Sequence, residues 1–434
     1  MKYERTQLPN GLRIISVHLR DAQSIAVSVL AGVGSRHENF PVNGGVSHFL
    51  EHLLFKGTRK RPSTKLIAEI VDGVGGLHNA YTSNDLTNYY IKVPKQHAAL
   101  AIDILADMIR EPLLDPVEVD RERGVVIEEM SMYNDDPSRF VHELLPPLLW
   151  PDDPLGKSIL GSEEVIKSIS RDAIADYQKL HYSPTNLVVS VAGDITHEKV
   201  VELVTKLMGD MEPYEVPMLK ELDDRISPRL SDVLKKDTNQ AHLLIGCKAY
   251  PYNGKLDPAA RVLTNLLGAG LSSRLFINVR ERQGLAYNIY ADYNNYVDTG
   301  QFNVYAGVNL DKIDQATESI LKELRELTEE LVPPAELEKV KNKMSGSLQM
   351  ALENTFAMAD RIGTRLLLLN QIKTPDQTLA EIAEVTAEDV LTAAKELFEV
   401  DRLRLAIIAP DPQPVVNTFQ KLVSKGKKVH EIRS

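Results

Sequence analysis

The run Leu187–Asp194, which reads Leu-Val-Val-Ser-Val-Ala-Gly-Asp, has a counterpart in Arg404–Asp411, which reads Arg-Leu-Ala-Ile-Ile-Ala-Pro-Asp. The two runs are 217 residues apart (404 − 187), and 217 is half of the 434 residues in the chain. A second match, Leu113–Asp120 with Leu331–Glu338, has an offset of 218 (331 − 113). Two distant matches in one register indicate an internal duplication, so the sequence predicts two halves built to one plan.

The composition is that of an ordinary globular protein and limits the possible partners. The chain is 43% hydrophobic and 26% charged, with 50 basic and 61 acidic residues and a net charge of −11. An acidic excess argues against a nucleic-acid partner. The single cysteine, Cys247, excludes an intramolecular disulfide framework and a Cys-rich zinc module. Because no apolar run resembles a membrane span or a signal segment, we expect a cytoplasmic protein with no membrane partner.

Hydrophobic patterning in both halves alternates groups of strands with groups of helices. The predicted strands are 12–18, 24–31, 86–93, 186–193, 241–248, 287–294, 301–308 and 403–409, and the predicted helices of the first half are 97–109, 116–132, 162–181 and 197–208. Strand pairs followed by helix pairs favour an α+β fold, in which each half is a largely antiparallel sheet packed with helices.

Prolines and charged residues between the halves predict a linker. We therefore divide the chain into an N-terminal metal-binding domain at 1–215, a linker at 216–235 and a C-terminal substrate-clamping domain at 236–434.

The segment His48–His52, His-Phe-Leu-Glu-His, carries the chemistry predicted for the first half. The surrounding apolar residues indicate a mostly buried helix that begins after Gly44-Gly45. Residues four apart lie on one helix face, so His48 and His52 can both direct a ring nitrogen at one metal ion, and Glu51 borders that face. Two nitrogen ligands beside a carboxylate that accepts a proton are typical of metal-assisted hydrolysis. The His-x-x-Glu-His order is the inverted form of the commoner zinc-protease motif.

A catalytic zinc ion needs a third protein ligand and an open coordination position. The predicted helix at 116–132 supplies Glu122, Glu128 and Glu129. Glu122 and Glu129 are seven residues apart, hence two turns apart on one face, whereas Glu128 points elsewhere. We therefore predict Glu129 as the third ligand and Glu122 as a carboxylate that orients a ligating imidazole.

A structural alternative is that the two histidines are hydrogen-bonded core residues. The duplication argues against this alternative. Aligning the Leu-Leu pairs at 53–54 and 266–267 places three residues of another character opposite His48, Glu51 and His52, namely Arg261, Thr264 and Asn265. If the halves share a scaffold, the metal-site residues are not needed to build it, and chemistry explains them better.

With these residues the sequence resembles the pitrilysin superfamily of inverted-motif zinc peptidases, in its short, processing-peptidase-like branch. In that superfamily 76 residues separate the motif from the third ligand, and here the interval between His52 and Glu129 is 76 (129 − 52 − 1). The resemblance extends through Asn79–Thr82, Leu155–Gly161 and Leu271–Phe276.

The resemblance implies a zinc endopeptidase with one zinc ion per chain, bound by His48, His52 and Glu129. It implies Glu51 as the general base for the attacking water and later as the proton shuttle to the leaving amine, with Glu122 as an accessory acidic residue. The implied substrates are unfolded peptides or oligopeptides, held as an extended strand inside a closed chamber. The two halves are expected to form a clam-like pair.

Two further groups of residues match the superfamily. Arg280 and Tyr287 match a pair that holds the substrate backbone and stabilises the tetrahedral intermediate. Without the resemblance, Arg280 would be interpreted as a solvated helix residue and Tyr287 as a strand-core residue. Asn79, Ala80 and Thr82 match an edge strand that pairs with an extended peptide, which implies broad sequence tolerance.

The resemblance also bears on assembly. Because one chain holds both the metal motif and the Arg-Tyr pair, a self-sufficient homodimer is the simplest inference. The alternative is a noncatalytic or catalytic subunit of a heteromeric processing-peptidase-like complex. Gly268-Ala269-Gly270 is shorter and less glycine-rich than the substrate-selecting loop of the noncatalytic processing subunit, so presequence-like selectivity is not expected.

Overall fold

The computed structural model describes residues 2–425, so the last residues of the predicted second half, 426–434, lie outside the described range. Within that range the chain forms two sheets, the first with six strands in the order β1-β2-β6-β3-β5-β4 and the second with five in the order β7-β11-β8-β10-β9. The strands are β1 Tyr3–Gln7, β2 Arg13–His18, β3 Ser24–Ala31, β4 Leu77–Thr82, β5 Thr87–Pro94, β6 Leu187–Gly193, β7 Ser231–Lys235, β8 Gln240–Ala249, β9 Ala286–Asn295, β10 Gly300–Asn309 and β11 Arg404–Ala409.

Helices surround both sheets. They are α1 Val46–Leu54, α2 Thr64–Asp72, α3 Ala98–Arg110, α4 Pro116–Asp135, α5 Pro137–Leu144, α6 Pro146–Leu149, α7 Glu163–Ser168, α8 Arg171–His181, α9 His197–Met208, α10 Asp257–Gly268, α11 Ile313–Glu329, α12 Pro334–Ala351, α13 Thr355–Leu369, α14 Pro375–Glu384, α15 Ala387–Leu397 and α16 Gln413–Lys425. Among the described residues, no helix is both long enough and apolar enough to cross a bilayer.

The first sheet has an apolar core on each face, which explains why its central strands contain few polar residues. In β3, Ile25 and Val27 pack in a core with α1, α3 and α9. Ala26 and Leu30, whose side chains point to the opposite face of the strand, belong to a second core with α13. Alternate side chains of a strand point to opposite faces, so a strand covered on both faces is apolar at most of its positions.

The second sheet is built in the same way. Leu243 and Ile245 of β8 pack in a core with α10, α11 and α15. Leu244, between them, belongs to a core on the opposite face with Val141 of α5 and Trp150.

The two sheets share one topology, as the duplication predicts. In each sheet one pair of neighbouring strands is parallel, β2 with β6 and β7 with β11, and the other pairs are antiparallel. The order β2-β6-β3-β5-β4 matches β7-β11-β8-β10-β9 strand for strand, with β1 added in the first sheet. The predicted α+β class, with antiparallel-rich sheets packed against helices, is confirmed.

Contacts divide the chain into two compact units that are not continuous in sequence. Among the described residues, the first unit contains the chain up to Ser131, Lys157–Glu221 and Ser347–Gln377. The second contains Met132–Gly156, Leu222–Gly346 and the described chain from Thr378 onwards. Helix α13, from the second half, therefore belongs to the first unit, and α5, from the first half, belongs to the second. These helices are counterparts in the repeat, since they begin 218 residues apart (355 − 137). The predicted boundaries at 1–215 and 236–434 place α5 in the N-terminal domain and α13 in the C-terminal domain. The sequence of an amphipathic helix does not show which sheet the helix will cover, so the exchange could not be predicted.

Two local elements differ from the prediction. The helix predicted over 162–181 is two helices, α7 and α8, because the hydroxyl of Ser170 accepts a hydrogen bond from the Ala173 N–H and caps a new helix. The end of the predicted linker is a strand, since β7 pairs in parallel with β11.

Candidate metal centre

The start of helix α1 is fixed by a buried carboxylate. Gly45 precedes the helix with φ of 91°, and a Cβ there would lie 2.4 Å from the carbonyl oxygen of Leu160. The N–H groups of Gly45 and Ser47 donate hydrogen bonds of 2.7 and 2.8 Å to the two carboxylate oxygens of Glu38. Burial raises the pKa of Glu38 to about 8, against the opposing effect of these hydrogen bonds. The sequence reasoning missed Glu38, because only the fold brings it to this helix end.

Helix α1 has a buried apolar face in addition to the histidines predicted to bind the metal. Its buried apolar side chains are Val46, Phe49, Leu50, Leu53 and Leu54. The imidazoles of His48 and His52 lie next to each other, with ring centroids 4.6 Å apart.

Helix α4 brings Glu129 to the same place. Its buried residues Val119, Val126 and Met130 fix one face against the first core. The Nε2 atoms of His48 and His52 lie 3.7 and 3.5 Å from Oε2 of Glu129. One possible ligand atom from each of the three residues lies within 4.8 Å of the others, and no second group of this kind occurs among residues 2–425.

This donor set fits a zinc ion. Bonds of about 2.0–2.1 Å around a tetrahedral ion place neighbouring ligand atoms ~3.3 Å apart. The observed nitrogen-to-oxygen separations of 3.5 and 3.7 Å are close to that value. Two imidazoles and one carboxylate form a ligand set of catalytic zinc sites, in which the fourth position stays open.

Both imidazoles are prepared for ligation. Burial, and to a smaller extent His52, lowers the pKa of His48 to about 3, so its ring is neutral at neutral pH. His52 Nδ1 lies 2.8 Å from Glu122 Oε1, so an Nδ1–H donates to that carboxylate and the ring is held with Nε2 facing Glu129. Lys56 Nζ lies 2.6 Å from the other Glu122 oxygen. Burial alone would raise the pKa of Glu122, but the hydrogen bonds from His52 and Lys56 outweigh it and lower that pKa.

We expect Glu122→Gln to weaken zinc binding by about 10- to 100-fold, because the amide no longer supplies the charge that orients His52. Competition with a chromogenic chelator measures the Kd for zinc. Glu128→Gln is the matched control, since Glu128 lies exposed on the same helix. An unchanged Kd in a folded Glu122→Gln protein would contradict this role.

Glu51 lies beside the three-residue group and is not one of its members. Its Oε2 accepts a 2.5 Å hydrogen bond from Oγ1 of Thr82. Burial raises the pKa of Glu51, and the hydrogen bond from Thr82 partly offsets that effect. A half-buried carboxylate with a raised pKa holds a proton more readily than a free one, which suits a group that accepts and returns a proton.

The predicted substrate strand is β4, at one end of the first sheet. Its described backbone neighbour is β5 alone, so its outer edge is open. Asn79 and Ala80 lie on this strand, and Asn79 Oδ1 accepts a 2.8 Å hydrogen bond from the Ala80 N–H. Thr82 instead uses its side chain to contact Glu51, a contact that the sequence reasoning missed.

Arg280 and Tyr287 lie together in the second unit. Arg280 belongs to a π-helix, Phe276–Glu281, and its guanidinium carbon lies 4.7 Å from the ring centroid of Phe276 and 5.9 Å from that of Tyr287. Tyr287 is on the outer strand β9 and its side chain is 75% exposed, so it is not a strand-core residue. The structure therefore presents the pair on a surface of its unit.

In the second half, the residues aligned with the motif contact groups of their own helix, α10. Arg261 Nε lies 3.1 Å from Asp257 Oδ1, one turn earlier. Thr264 Oγ1 donates to the carbonyl of Ala260 at 2.8 Å, and Asn265 Nδ2 donates to the carbonyl of Arg261 at 3.0 Å. These polar groups are satisfied locally, in agreement with the absence of a second ligand group among the described residues.

Both units have the same α+β topology, and in the described chain only the first holds a His-His-Glu group beside a half-buried glutamate. These features define a two-unit metallopeptidase. The family model described as Insulinase (Peptidase family M16) matches residues 13–163, and the model described as Peptidase M16 inactive domain matches residues 168–344. The chain belongs to peptidase family M16, within the pitrilysin superfamily.

Similar proteins agree with this assignment. The chain is 39% identical to the uncharacterized zinc protease YmxG of Bacillus subtilis, over 94% of this chain and 98% of the relative. It is 36% identical to an uncharacterized zinc protease of Streptomyces coelicolor, over 94% and 89%. A crystal structure of a protease from Helicobacter pylori matches with a TM-score of 0.89 and 26% identity, over 94% and 99%. A peptidase M16 inactive domain from Pseudomonas fluorescens, with a TM-score of 0.87 and 16% identity over 95% and 98%, shares the fold. Relatives named zinc proteases support a metallopeptidase that uses zinc.

Proposed function

We propose that this chain is a zinc-dependent endopeptidase that hydrolyses unfolded peptides or oligopeptides. The observation that carries the proposal is the group formed by His48, His52 and Glu129, whose possible ligand atoms lie within 4.8 Å of one another, with Glu51 beside it. The names of the relatives support the same class of enzyme.

His48 and His52 would hold zinc through Nε2, and Glu129 through a carboxylate oxygen. Zinc, when bound, polarises the scissile carbonyl and increases the acidity of water. Glu51 takes a proton from the attacking water as the bond between water oxygen and carbonyl carbon forms. It then gives that proton to the amide nitrogen as the peptide bond breaks, so that an amine leaves.

The proposed substrate is an extended peptide that adds as a strand to the open edge of β4, along Asn79 and Ala80. Backbone pairing of this kind depends little on side chains, so a broad range of peptides is expected. In the proposal Arg280 and Tyr287 hold the substrate backbone and donate to the charge that develops on the carbonyl oxygen. A homodimer and a cytoplasmic location remain predictions from the sequence.

Mass spectrometry of an unbiased peptide pool, incubated with the purified chain, tests the proposal. We expect many cuts within peptides, their loss on addition of a chelator and their return with zinc. Activity of the isolated chain would exclude a requirement for a second kind of subunit. Cleavage that is insensitive to the chelator would contradict the proposed zinc chemistry.

A further inference from the structure

The proposed base is held by a single side chain from the outer strand. Thr82 Oγ1 donates to Glu51 Oε2, and no other hydrogen bond reaches the Glu51 side chain among the described residues. The direction of the Glu51 carboxylate therefore depends on where the end of β4 lies.

Strand β4 is an edge strand, with backbone pairing on one side only. Edge strands lose pairing more easily than central strands, so a strand of this kind needs side-chain anchors to keep a fixed position. Thr82 and its neighbour Tyr81 are consecutive residues, and consecutive side chains point to opposite faces of a sheet. An anchor at Tyr81 would thus hold the strand from the face opposite Glu51.

That anchor is a carboxylate of helix α13. Asp360 Oδ1 accepts a 2.5 Å hydrogen bond from the hydroxyl of Tyr81 and a 2.9 Å hydrogen bond from Nδ2 of Asn88. Asn88 is the residue of β5 directly opposite Tyr81 and is fully buried. One carboxylate oxygen therefore joins a helix to a cross-strand pair of β4 and β5. Burial, followed by the charge of Asp360, raises the pKa of Tyr81, so the hydroxyl keeps the proton that it donates.

Helix α13 is itself fixed firmly to the first sheet. Ser190 Oγ donates a 2.6 Å hydrogen bond to the carbonyl of Ala359, and Arg13 donates one of 3.0 Å to the carbonyl of Leu366. A Cβ at Gly363 would lie 2.6 Å from a side-chain atom of Leu30, so this position of the helix approaches the sheet too closely for a larger residue. Asp360 is therefore attached to a rigid support.

We propose that Asp360 is a positioning residue for the general base. It fixes Tyr81 and the end of β4, and through them it places Thr82, which holds the Glu51 carboxylate beside the metal ligands. This inference rests on the proposed function and deepens it, since it assigns to a helix of the second half of the sequence a part in the chemistry of the first.

Variants that lack the Tyr81 or the Thr82 hydroxyl, assayed with zinc bound, test this positioning role. Tyr81→Phe and Thr82→Val are each expected to lower kcat about tenfold with zinc content unchanged, because a misdirected base slows the chemical step after binding, and any rise in KM from weaker pairing with β4 should be smaller than the fall in kcat. Thr82→Ser keeps the hydroxyl and should restore most of kcat. Tyr90→Phe is the matched control, because the Tyr90 ring also contacts α13, by stacking on Phe356, but its hydroxyl does not bind Asp360.

A double-mutant cycle separates positioning from a general loss of stability. If Tyr81 acts through Thr82, the Tyr81→Phe/Thr82→Val protein should be as active as the less active of the two single variants. Independent effects would instead multiply, to a loss of about a hundredfold. Asp360→Asn, which keeps an acceptor oxygen but not the charge, should give a smaller fall in kcat than Tyr81→Phe.

The inference would be overturned by multiplied effects in the double variant, by a change confined to KM, or by values of kcat within twofold of wild type for both Tyr81→Phe and Thr82→Val. A loss of kcat in Thr82→Ser equal to that in Thr82→Val would also overturn it. If peptide hydrolysis survives Glu51→Gln, the proposed function fails as well. If Glu51→Gln is inactive but the Tyr81 and Thr82 variants are normal, only the inference about Asp360 fails.

Discussion

Glu51→Gln is expected to abolish peptide hydrolysis while the protein continues to bind zinc. An amide cannot accept a proton from water, and loss of a general base lowers rates by about 10²- to 10⁴-fold. Glutamine has nearly the shape of glutamate and its carbonyl oxygen can still accept from Thr82, so the fold and the ligands should not change. Peptide cleavage measured by mass spectrometry, with zinc content measured by atomic emission on the same sample, gives both quantities.

Glu128→Gln provides the comparison, since it makes the same chemical change on the exposed side of α4. Its activity should match that of the unaltered protein. Full peptide hydrolysis by Glu51→Gln would show that another group takes the proton.

Glu129→Gln is expected to cause the largest loss of zinc. A neutral amide oxygen is a poor zinc ligand, and removal of one of three protein ligands leaves two imidazoles on one helix. Zinc content after dialysis against a weak chelator should fall to a small fraction of the value for the unaltered chain, and peptide hydrolysis should fall with it.

The neighbouring Glu128→Gln again serves as the control, because Glu128 and Glu129 share a helix but face different surroundings. Excess zinc should restore part of the activity of Glu129→Gln if the site is weakened rather than destroyed. Retention of zinc at the unaltered affinity would exclude Glu129 as a ligand.

Sequence periodicity was sufficient to predict which residues of the candidate metal centre share a helix face. His48 and His52 are one helix turn apart, and Glu122 and Glu129 are two turns apart on another helix, so each pair depends on local spacing alone. The strands β3 and β6 were predicted for the same reason, since their apolar runs are continuous and bounded by turn residues.

Contacts between distant parts of the chain were not predictable in this way. Tyr81 and Asp360 are 279 residues apart, and no spacing rule connects them. Glu38 reaches the N–H groups of α1 through a turn whose path depends on Gly45 and its close contact with Leu160. The exchange of α5 and α13 was not predictable for the same reason, because packing on a distant sheet does not change the local hydrophobic pattern of a helix.

Helix α13 also sets the time at which the first sheet can finish folding during synthesis. The apolar face that it covers, which includes Ala26, Leu30 and Val188, stays exposed until residue 369 has left the ribosome. At ~5–20 residues per second, the 176 residues between the ends of β6 and α13 (369 − 193) take roughly 10–35 s to make. Throughout that interval the nascent chain presents a bare apolar sheet, which favours aggregation. The two halves, however similar, are thus completed together, and a gene that encoded either one alone would yield a sheet with one side uncovered.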